Sequence, residues 1–209
     1  MEYKAIIFDL GGVILNLRYE NTLEKFAEIL NKPVEPFYTK KQQTSLFDDY
    51  EKGNITSQEF RLGIRELLDE PITDEQIDLA WNAMLLDLPV ERVEMLKALK
   101  DKYRIFLLSN TNEIHIEAFN KIVNDTMGEG FGDFKQLFEQ AYYSFEMADR
   151  KPHPSIFETV VAKNNLDKAT TLFIDDSIQH VEGAKQAGLH AHHLEDLNII
   201  GFLKSEGIY

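Results

Sequence analysis

Four polar sites along this sequence carry side chains that could do chemistry together. They are Asp9, the pair Ser109-Asn110, Lys151 and the pair Asp175-Asp176. Carboxylates that lie close together repel one another unless a cation lies between them, and Mg²⁺ suits such an all-oxygen ligand set. Lysine and a serine hydroxyl at a helix N-terminus are suited to hold a phosphoryl group, and a carboxylate could attack its phosphorus. These residue types predict Mg²⁺-assisted phosphoryl transfer to Asp9.

The elements that must position these sites are strands that alternate with helices. Apolar runs predict strands over 4–8, 104–108, 142–145 and 171–174, and helical segments separate the later strands. Such alternation implies a parallel sheet with right-handed crossovers. Because ligands bind at the carboxyl ends of the strands in these sheets, we expect the four polar sites to meet over one edge.

The stretch 17–88 has a different character, because its apolar residues repeat with helical spacing and no strand pattern interrupts them. Two such stripes are Leu23-Phe26-Ala27-Leu30 and Phe60-Ile64-Leu67-Leu68. Thr73 and Gln76 have the spacing of a capping box. We therefore predict a helical domain over 17–88, inserted into an α/β domain formed by 1–16 and 89–209.

Composition excludes several classes of protein. The chain has 209 residues, 44% of them hydrophobic, which is enough for a sizeable core. It has no cysteine, so disulfides, thiolate catalysis and cysteine-ligated metal sites are excluded. The net charge of −14 repels nucleic acids and anionic membranes. No apolar stretch approaches the ~20 residues that span a bilayer, and no secretory signal is recognisable, so we expect a cytoplasmic protein that binds neither membrane nor nucleic acid.

The motifs together resemble those of the haloacid dehalogenase superfamily of phosphohydrolases. They read, in chain order, Phe8-Asp9-Leu10-Gly11-Gly12-Val13, Leu108-Ser109-Asn110, Arg150-Lys151-Pro152 and Phe173-Ile174-Asp175-Asp176. The resemblance covers essentially the whole chain and implies a Rossmann-like α/β core. The helical stretch lies where that superfamily inserts its type C1 cap. The runs Ser109-Asn110-Thr111-Asn112 and Asp175-Asp176-Ser177 most resemble the α-glucose-1-phosphatase group, and the phosphatase domain of soluble epoxide hydrolase is a more distant likeness.

The resemblance implies a Mg²⁺ site in the first and fourth motifs. Asp9 would be both the nucleophile and a magnesium ligand, and Gly11 would contribute its backbone carbonyl. Asp176 matches the usual ligand of the fourth motif, with Asp175 beside it as a further candidate.

The resemblance also implies a phosphoryl site. Ser109 and Asn110 would hold the transferring group, and Lys151 would neutralise the charge on that group and on Asp9. At the edges of the helical domain, Arg18, Tyr19 and Tyr50 are candidates to face a substrate.

Two positions depart from the family pattern. Most phosphatases of the superfamily carry a second Asp where Gly11 stands, to protonate the leaving group and then activate water. General acid–base help of this kind contributes on the order of 10²–10⁴-fold. His180 lies four residues after Asp176, where Asp or Asn is usual. A histidine there could orient the residues around the metal or supply the missing proton.

We interpret the chain as a Mg²⁺-dependent phosphatase of a small phosphorylated metabolite, such as a sugar phosphate. One alternative is a haloacid dehalogenase, which also lacks the second acid and attacks carbon without metal, although the pair Asp175-Asp176 argues against a metal-free site. Another is a binding or regulatory protein that is inactive because of Gly11. The substrate and the oligomeric state are left open, since a shared fold does not fix function.

Overall fold

A five-stranded parallel sheet forms the centre of the protein. The computed structural model describes residues 2–35 and 45–209. The strands are β1 (Ala5–Phe8), β2 (Arg104–Ser109), β3 (Gln140–Tyr143), β4 (Thr171–Asp175) and β5 (His190–His193), in the order β3-β2-β1-β4-β5. Every neighbouring pair is parallel. The predicted α/β fold with a parallel sheet is therefore confirmed.

Helices cover the sheet and fill the connections between its strands. In chain order they are α1 (Glu20–Leu30), α2 (Ser45–Glu51), α3 (Ser57–Leu68), α4 (Asp74–Asn82), α5 (Val90–Lys100), α6 (Glu113–Met127), α7 (Ser144–Met147), α8 (Pro154–Lys163), α9 (Ile178–Gln186) and α10 (Ile199–Ser205). Short 3₁₀ turns lie at Glu129–Phe131, Phe134–Leu137 and Lys168–Thr170.

The central strand β1 explains why the sheet must be buried on both faces. Its side chains alternate between faces, so Ile6 and Phe8 join one apolar cluster and Ile7 joins the other. Helices α5, α6 and α10 supply the first cluster, and α8 and α9 supply the second. An apolar strand without polar alternation is typical of a sheet covered on both sides.

Two strands differ from the sequence prediction. The third strand ends at Tyr143 rather than Phe145, because Ser144 begins the short helix α7. Strand β5 has a histidine-rich sequence and pairs only with β4. The sequence did not predict β5, because an edge strand of this composition has no continuous apolar run.

Helices α1–α4 pack around an apolar cluster of their own. Its members include Phe26, Phe47, Phe60, Ile64, Ile77 and Trp81, and α6 adds Ile114. The predicted capping box of Thr73 and Gln76 is present, and Thr56 and Glu59 form a second one. The division into 1–16 with 89–209 and an inserted 17–88 stays a prediction, and part of the insert lies outside the described residues.

Among residues 2–35 and 45–209, no helix has the length and apolar character needed to cross a membrane.

Candidate active site

A buried lysine lies at the centre of the site. Lys151 is 0% exposed, and its Nζ lies 2.7 Å from Asp9 Oδ1 and 2.6 Å from Asp175 Oδ2. Asp9 follows β1 and Asp175 ends β4, so the two neighbouring strands deliver both carboxylates to one ammonium group. The structure thus brings together three of the predicted site residues.

The loop that carries Lys151 is held by Asn110. The Asn110 Nδ2 donates to the Lys151 carbonyl at 2.9 Å, and the Lys151 backbone N–H donates to Asn110 Oδ1 at 2.9 Å. This reciprocal pair fixes the lysine backbone against the end of β2. The Asn110 amide therefore positions Lys151, and its contact with a phosphoryl group stays a prediction.

Asp175 accepts hydrogen bonds from several donors. Besides the Lys151 ammonium, the Ser177 backbone N–H donates to Oδ1 at 2.8 Å, and His180 Nδ1 lies 3.0 Å from both carboxylate oxygens. Burial alone would raise the pKa of Asp175, but Lys151 and His180 hold it below its usual range. Asp175 is therefore ionised and serves as an anchor for Lys151 and His180.

Asp176 lies against Gly12 in the turn after β1. A Cβ on Gly12 would lie 2.2 Å from Asp176 Oδ2, and the Gly12 φ of +75° is one that favours glycine. Behind the carboxylate, His193 Nε2 lies 3.1 Å from the Asp176 carbonyl oxygen. Glycine at position 12 is thus what lets the Asp176 side chain lie beside the loop of Asp9.

Leu17 occupies the space beside Gly11. A Cβ on Gly11 would lie 2.4 Å from the Leu17 Cδ1 methyl carbon. A side chain at position 11 would therefore need Leu17 to move, because this apolar side chain closes the space beside Gly11.

Ser109 ends β2 and is buried, and within the described part of the chain its Oγ makes a long contact of 3.4 Å to the Asn110 carbonyl. Helix α6 begins at Glu113, which is later than it would begin if Ser109 were its N-cap. Its N-cap is Asn112, whose side chain accepts from the His115 backbone N–H at 3.0 Å. The Ser109 hydroxyl is thus not used as a helix cap.

The charges of the site are unbalanced. Burial and the neighbouring Asp175 raise the pKa of Asp9 well above its ordinary value, with Lys151 opposing the shift. Burial also opposes the Lys151 charge, but Asp175 and Asp9 raise its pKa, so it stays protonated. When Asp9, Asp175 and Asp176 are ionised, one ammonium leaves two negative charges uncompensated.

That imbalance and the donor set fit a divalent cation. Ligand atoms of Asp9, Asp175 and His180 lie within 4.8 Å of one another. Asp175 already accepts from Lys151, Ser177 and His180, whereas Asp9 and Asp176 supply carboxylate oxygens of the kind that Mg²⁺ prefers. The residues present therefore fit a Mg²⁺ ion.

A cavity of about 360 Å³ opens over these residues. Its lining includes Asp9, Ser109, Asn110, Asp176 and His180 from the sheet edge, and Leu17, Tyr19, Asp48, Glu51, Met84 and Leu85 from the 17–88 segment. Of the three edge candidates, Tyr19 lines the cavity. Tyr50 is instead buried, with its hydroxyl 2.8 Å from Ser57 Oγ, and Arg18 pairs with Glu24 at an exposed position.

Sequence reasoning missed an ion-pair cluster at the cavity. Arg150 lies next to Lys151, and its guanidinium binds Asp48 and lies 2.9 Å from a Glu51 carboxylate oxygen. Glu51 is only 5% exposed. The one signal in the sequence was that Arg150 belongs to the third motif, since nothing local marks Asp48 or Glu51 as its partners.

Comparison with known proteins gives a consistent picture. A family model described as haloacid dehalogenase-like hydrolase matches residues 3–188. The chain is similar to a D-ribitol-5-phosphate phosphatase of Bacteroides thetaiotaomicron, with 25% identity over 193 residues covering 92% of both chains. It is also similar to a phosphorylated carbohydrates phosphatase of Thermotoga maritima, with 25% identity covering 89% of this chain and 82% of the other.

Among solved structures, the chain is similar to a HAD family enzyme from Bacteroides thetaiotaomicron. The match to an alanine variant of that enzyme in complex with magnesium and inorganic phosphate has a TM-score of 0.81 and 36% identity, covering 91% of this chain and 93% of that chain. A predicted HAD-like family hydrolase from Porphyromonas gingivalis matches with a TM-score of 0.79 and 28% identity over 92% of this chain and 91% of the other.

Proposed function

This chain belongs to the haloacid dehalogenase-like hydrolase family, and we propose that it is a Mg²⁺-dependent phosphatase of small sugar or polyol phosphates. The observation that carries the proposal is the buried Lys151 between Asp9 and Asp175, next to a cavity of about 360 Å³ that Asp9 and Asp176 line. The relatives that are named phosphatases of D-ribitol 5-phosphate and of phosphorylated carbohydrates support the substrate class. The similar structure with magnesium and phosphate supports the cofactor.

Asp9 is the nucleophile in this proposal. Its Oδ1 lies 2.7 Å from Lys151 Nζ, and the carboxylate attacks the phosphorus of the ester. The new Asp9–phosphorus bond forms as the bond from phosphorus to the ester oxygen breaks, which leaves an aspartyl-phosphate and an alkoxide that takes a proton from solvent water to become the alcohol. Water then attacks the same phosphorus, releases inorganic phosphate and restores the carboxylate.

The remaining groups of the site offset the negative charge of the phosphoryl group and of Asp9. Asp9, Asp176 and the Gly11 carbonyl would hold Mg²⁺, with Asp175 beside them. When bound, the ion neutralises charge on the phosphoryl oxygens and keeps Asp9 ionised. In this proposal Lys151 offsets charge on the transferring group, and the Ser109 hydroxyl and the Asn110 amide donate hydrogen bonds to it.

The leaving alcohol needs a proton that Gly11 cannot give. His180 lines the same cavity, and its Nδ1 is directed at Asp175. This contact favours the interpretation in which His180 positions Asp175 over the one in which it donates a proton to the substrate.

The test is release of inorganic phosphate from a panel of phosphorylated metabolites that includes D-ribitol 5-phosphate, with Mg²⁺ and with EDTA. We expect turnover with Mg²⁺, loss of turnover in EDTA, and a drop of several orders of magnitude in Asp9→Asn. An absence of turnover across the panel, or full activity in Asp9→Asn, would overturn the proposal and favour a binding protein. Chloride release from a 2-haloacid in EDTA would instead identify a dehalogenase.

A further inference from the structure

Two loops that carry predicted site residues meet just beyond the end of the sheet. One begins at Ser109, the last residue of β2, and continues through Asn110 and Thr111, and all three residues line the cavity. The other follows β3 and runs from Ser144 to Lys151. Because β2 and β3 pair only as far as Ser109, other contacts must hold the two loops together beyond that point.

A buried hydroxyl holds the backbone of the first loop. The Thr111 backbone N–H donates to Ser144 Oγ at 3.0 Å, and Ser144 Oγ donates to the Thr111 carbonyl oxygen at 3.1 Å. A serine hydroxyl can donate and accept at once, so one side chain binds both backbone polar groups of Thr111. Ser144 is 0% exposed and Thr111 is 5% exposed. Loss of the hydroxyl would therefore leave two buried backbone groups without this partner, which is costly.

This contact adds to the reciprocal pair that Asn110 forms with the Lys151 backbone. The neighbours Asn110 and Thr111 are thus bound to the two ends of the 144–151 segment. One attachment between two loops would fix a distance and leave their relative orientation free, whereas two attachments fix both. The orientation of the Ser109 loop toward Lys151 therefore depends on Ser144.

We propose that Ser144 is a positioning residue for the phosphoryl site. By holding the Thr111 backbone, it keeps the Ser109 hydroxyl and the Asn110 amide aligned with Lys151 around the transferring phosphoryl group. Ser144 is absent from the cavity lining in the described part of the chain, so it acts through the loop and not on the substrate. This inference rests on the proposed function, because it takes these three groups to bind the phosphoryl group.

Binding of inorganic phosphate tests the proposal without turnover. We expect calorimetry in the presence of Mg²⁺ to give a Kd for phosphate about tenfold higher in Ser144→Ala than in the wild type, because the loop loses one of its two attachments. The Kd for Mg²⁺ alone should stay unchanged, since the proposed ligands Asp9 and Asp176 lie on other loops. A phosphate Kd within about twofold of the wild-type value, or an equal rise in the Kd for Mg²⁺, overturns the proposal.

Thr171→Val is the matched control. Thr171 is also 0% exposed, and its Oγ1 donates to the Asp167 carbonyl oxygen at 2.8 Å, at the start of β4 and therefore at the opposite end of the sheet. This variant loses a buried hydroxyl of the same kind and should keep the wild-type Kd for phosphate. A rise equal to that of Ser144→Ala would show a general effect of lost stability and would overturn the proposal.

A second variant and the wild type itself supply further measurements. Ser144→Cys has a thiol that hydrogen-bonds weakly, so its phosphate Kd should lie between those of the wild type and Ser144→Ala. The Thr111 amide should be protected from hydrogen exchange in the wild type and should lose that protection in Ser144→Ala. The Asp9 amide, which donates to the Ile174 carbonyl oxygen at 3.0 Å, should stay protected in both. An unprotected Thr111 amide in the wild type overturns the proposal.

Kinetics separate this inference from the proposed function. We expect kcat/KM to fall on the order of 10²-fold in Ser144→Ala for D-ribitol 5-phosphate and phenyl phosphate alike, because both esters carry the phosphoryl group that is misplaced. Wild-type turnover in Ser144→Ala overturns the role of Ser144 and leaves the phosphatase intact. An absence of turnover on every ester overturns the phosphatase, and phosphate binding then decides on Ser144. A wild type that neither turns over esters nor binds phosphate overturns both. Thermal unfolding establishes that each variant is folded before the comparison.

Discussion

At position 11, a leucine methyl group fills the space that a catalytic acid would need. The Leu17 Cδ1 would lie 2.4 Å from a Cβ on Gly11, and this methyl is the end of a flexible side chain. Gly11 does not have a positive φ, so its backbone conformation would tolerate a side chain. Gly11 and Leu17 therefore fit each other, and an acid at position 11 would need the Leu17 side chain to move.

We expect Gly11→Asp alone to gain little, because its side chain is pushed out of line by Leu17. The double variant Gly11→Asp with Leu17→Ala should raise kcat on alkyl phosphates, by up to the ~10²-fold at the low end of general acid catalysis. The measurement is kcat for alkyl against 4-nitrophenyl phosphate, since a good leaving group needs no proton. Equal gains on both esters would argue against proton donation, and Leu17→Ala alone is the control.

At the scale of elements, one glycine sets how closely α9 packs against the loop of Lys151. A Cβ on Gly183 would lie 2.0 Å from the Pro152 carbonyl oxygen, which belongs to the backbone and cannot move cheaply. The loop and the helix are therefore in direct backbone contact, and this contact helps to place the lysine beneath the cavity.

Gly183→Ala should push the loop away from α9 and lower both stability and activity. We expect a loss of about 1–3 kcal/mol in the free energy of unfolding, as for overpacked cores, and a fall in kcat. Urea unfolding and phosphate release measure the two effects. Gly130→Ala is the matched control, because nothing lies within 4 Å of its added Cβ, and a similar loss there would contradict this explanation.

The Arg150 cluster links α2 to the loop after α7. Arg150→Met removes the guanidinium and leaves the buried Glu51 carboxylate without it, which should cost about 3 kcal/mol of stability at pH 7.5. The double variant Arg150→Met with Glu51→Gln should recover part of that loss, because it removes the buried charge as well. Urea unfolding of the four proteins of this cycle measures the coupling, and a double variant no better than Arg150→Met would contradict the ion-pair argument.

At the scale of the whole molecule, the site stores an electrostatic cost that a cation relieves. The pKa of Asp9 is raised in the folded chain, so the folded state holds this proton at pH values where the unfolded state has released it. The unfolded state binds fewer protons in that window, and stability therefore falls as the pH rises above the unfolded value of about 4. The cost persists at neutral pH and disappears when Asp9 is protonated.

Asp9→Asn should therefore stabilise the metal-free protein at pH 7.5, by on the order of 1 kcal/mol or more, and the difference should shrink toward pH 4. Mg²⁺ should stabilise the wild type more than Asp9→Asn, by about 2.7 kcal/mol at a hundredfold excess over its Kd. Thermal unfolding in EDTA and in Mg²⁺ measures both effects. Asp125→Asn, at an exposed position, is the control. If Mg²⁺ stabilised Asp9→Asn as much as Asp125→Asn, Asp9 would not be a metal ligand.

Much of the architecture follows from local sequence. An apolar run such as Ile6-Ile7-Phe8 that ends at a glycine-rich turn is typical of a strand buried on both faces, with the polar residue that follows at its end. The helical spacing around Phe60 and Ile64 and the capping box of Thr73 and Gln76 predict their helices for the same reason. These patterns depend on residues that are close in the chain, so the sequence by itself determined the parallel sheet and its polar edge.

Only the tertiary structure decided which side chains meet at that edge. Asn110 and Lys151 are 41 positions apart, and Arg150 and Asp48 are 102 apart. Neither separation along the sequence produces a periodic pattern, because such contacts depend on how helices and loops pack over the sheet. The same holds for the Leu17 methyl beside Gly11 and for the Asn82 amide, whose oxygen lies 2.9 Å from His115 Nδ1. The sequence thus determined the chemical groups, and packing decided their partners and their charge states.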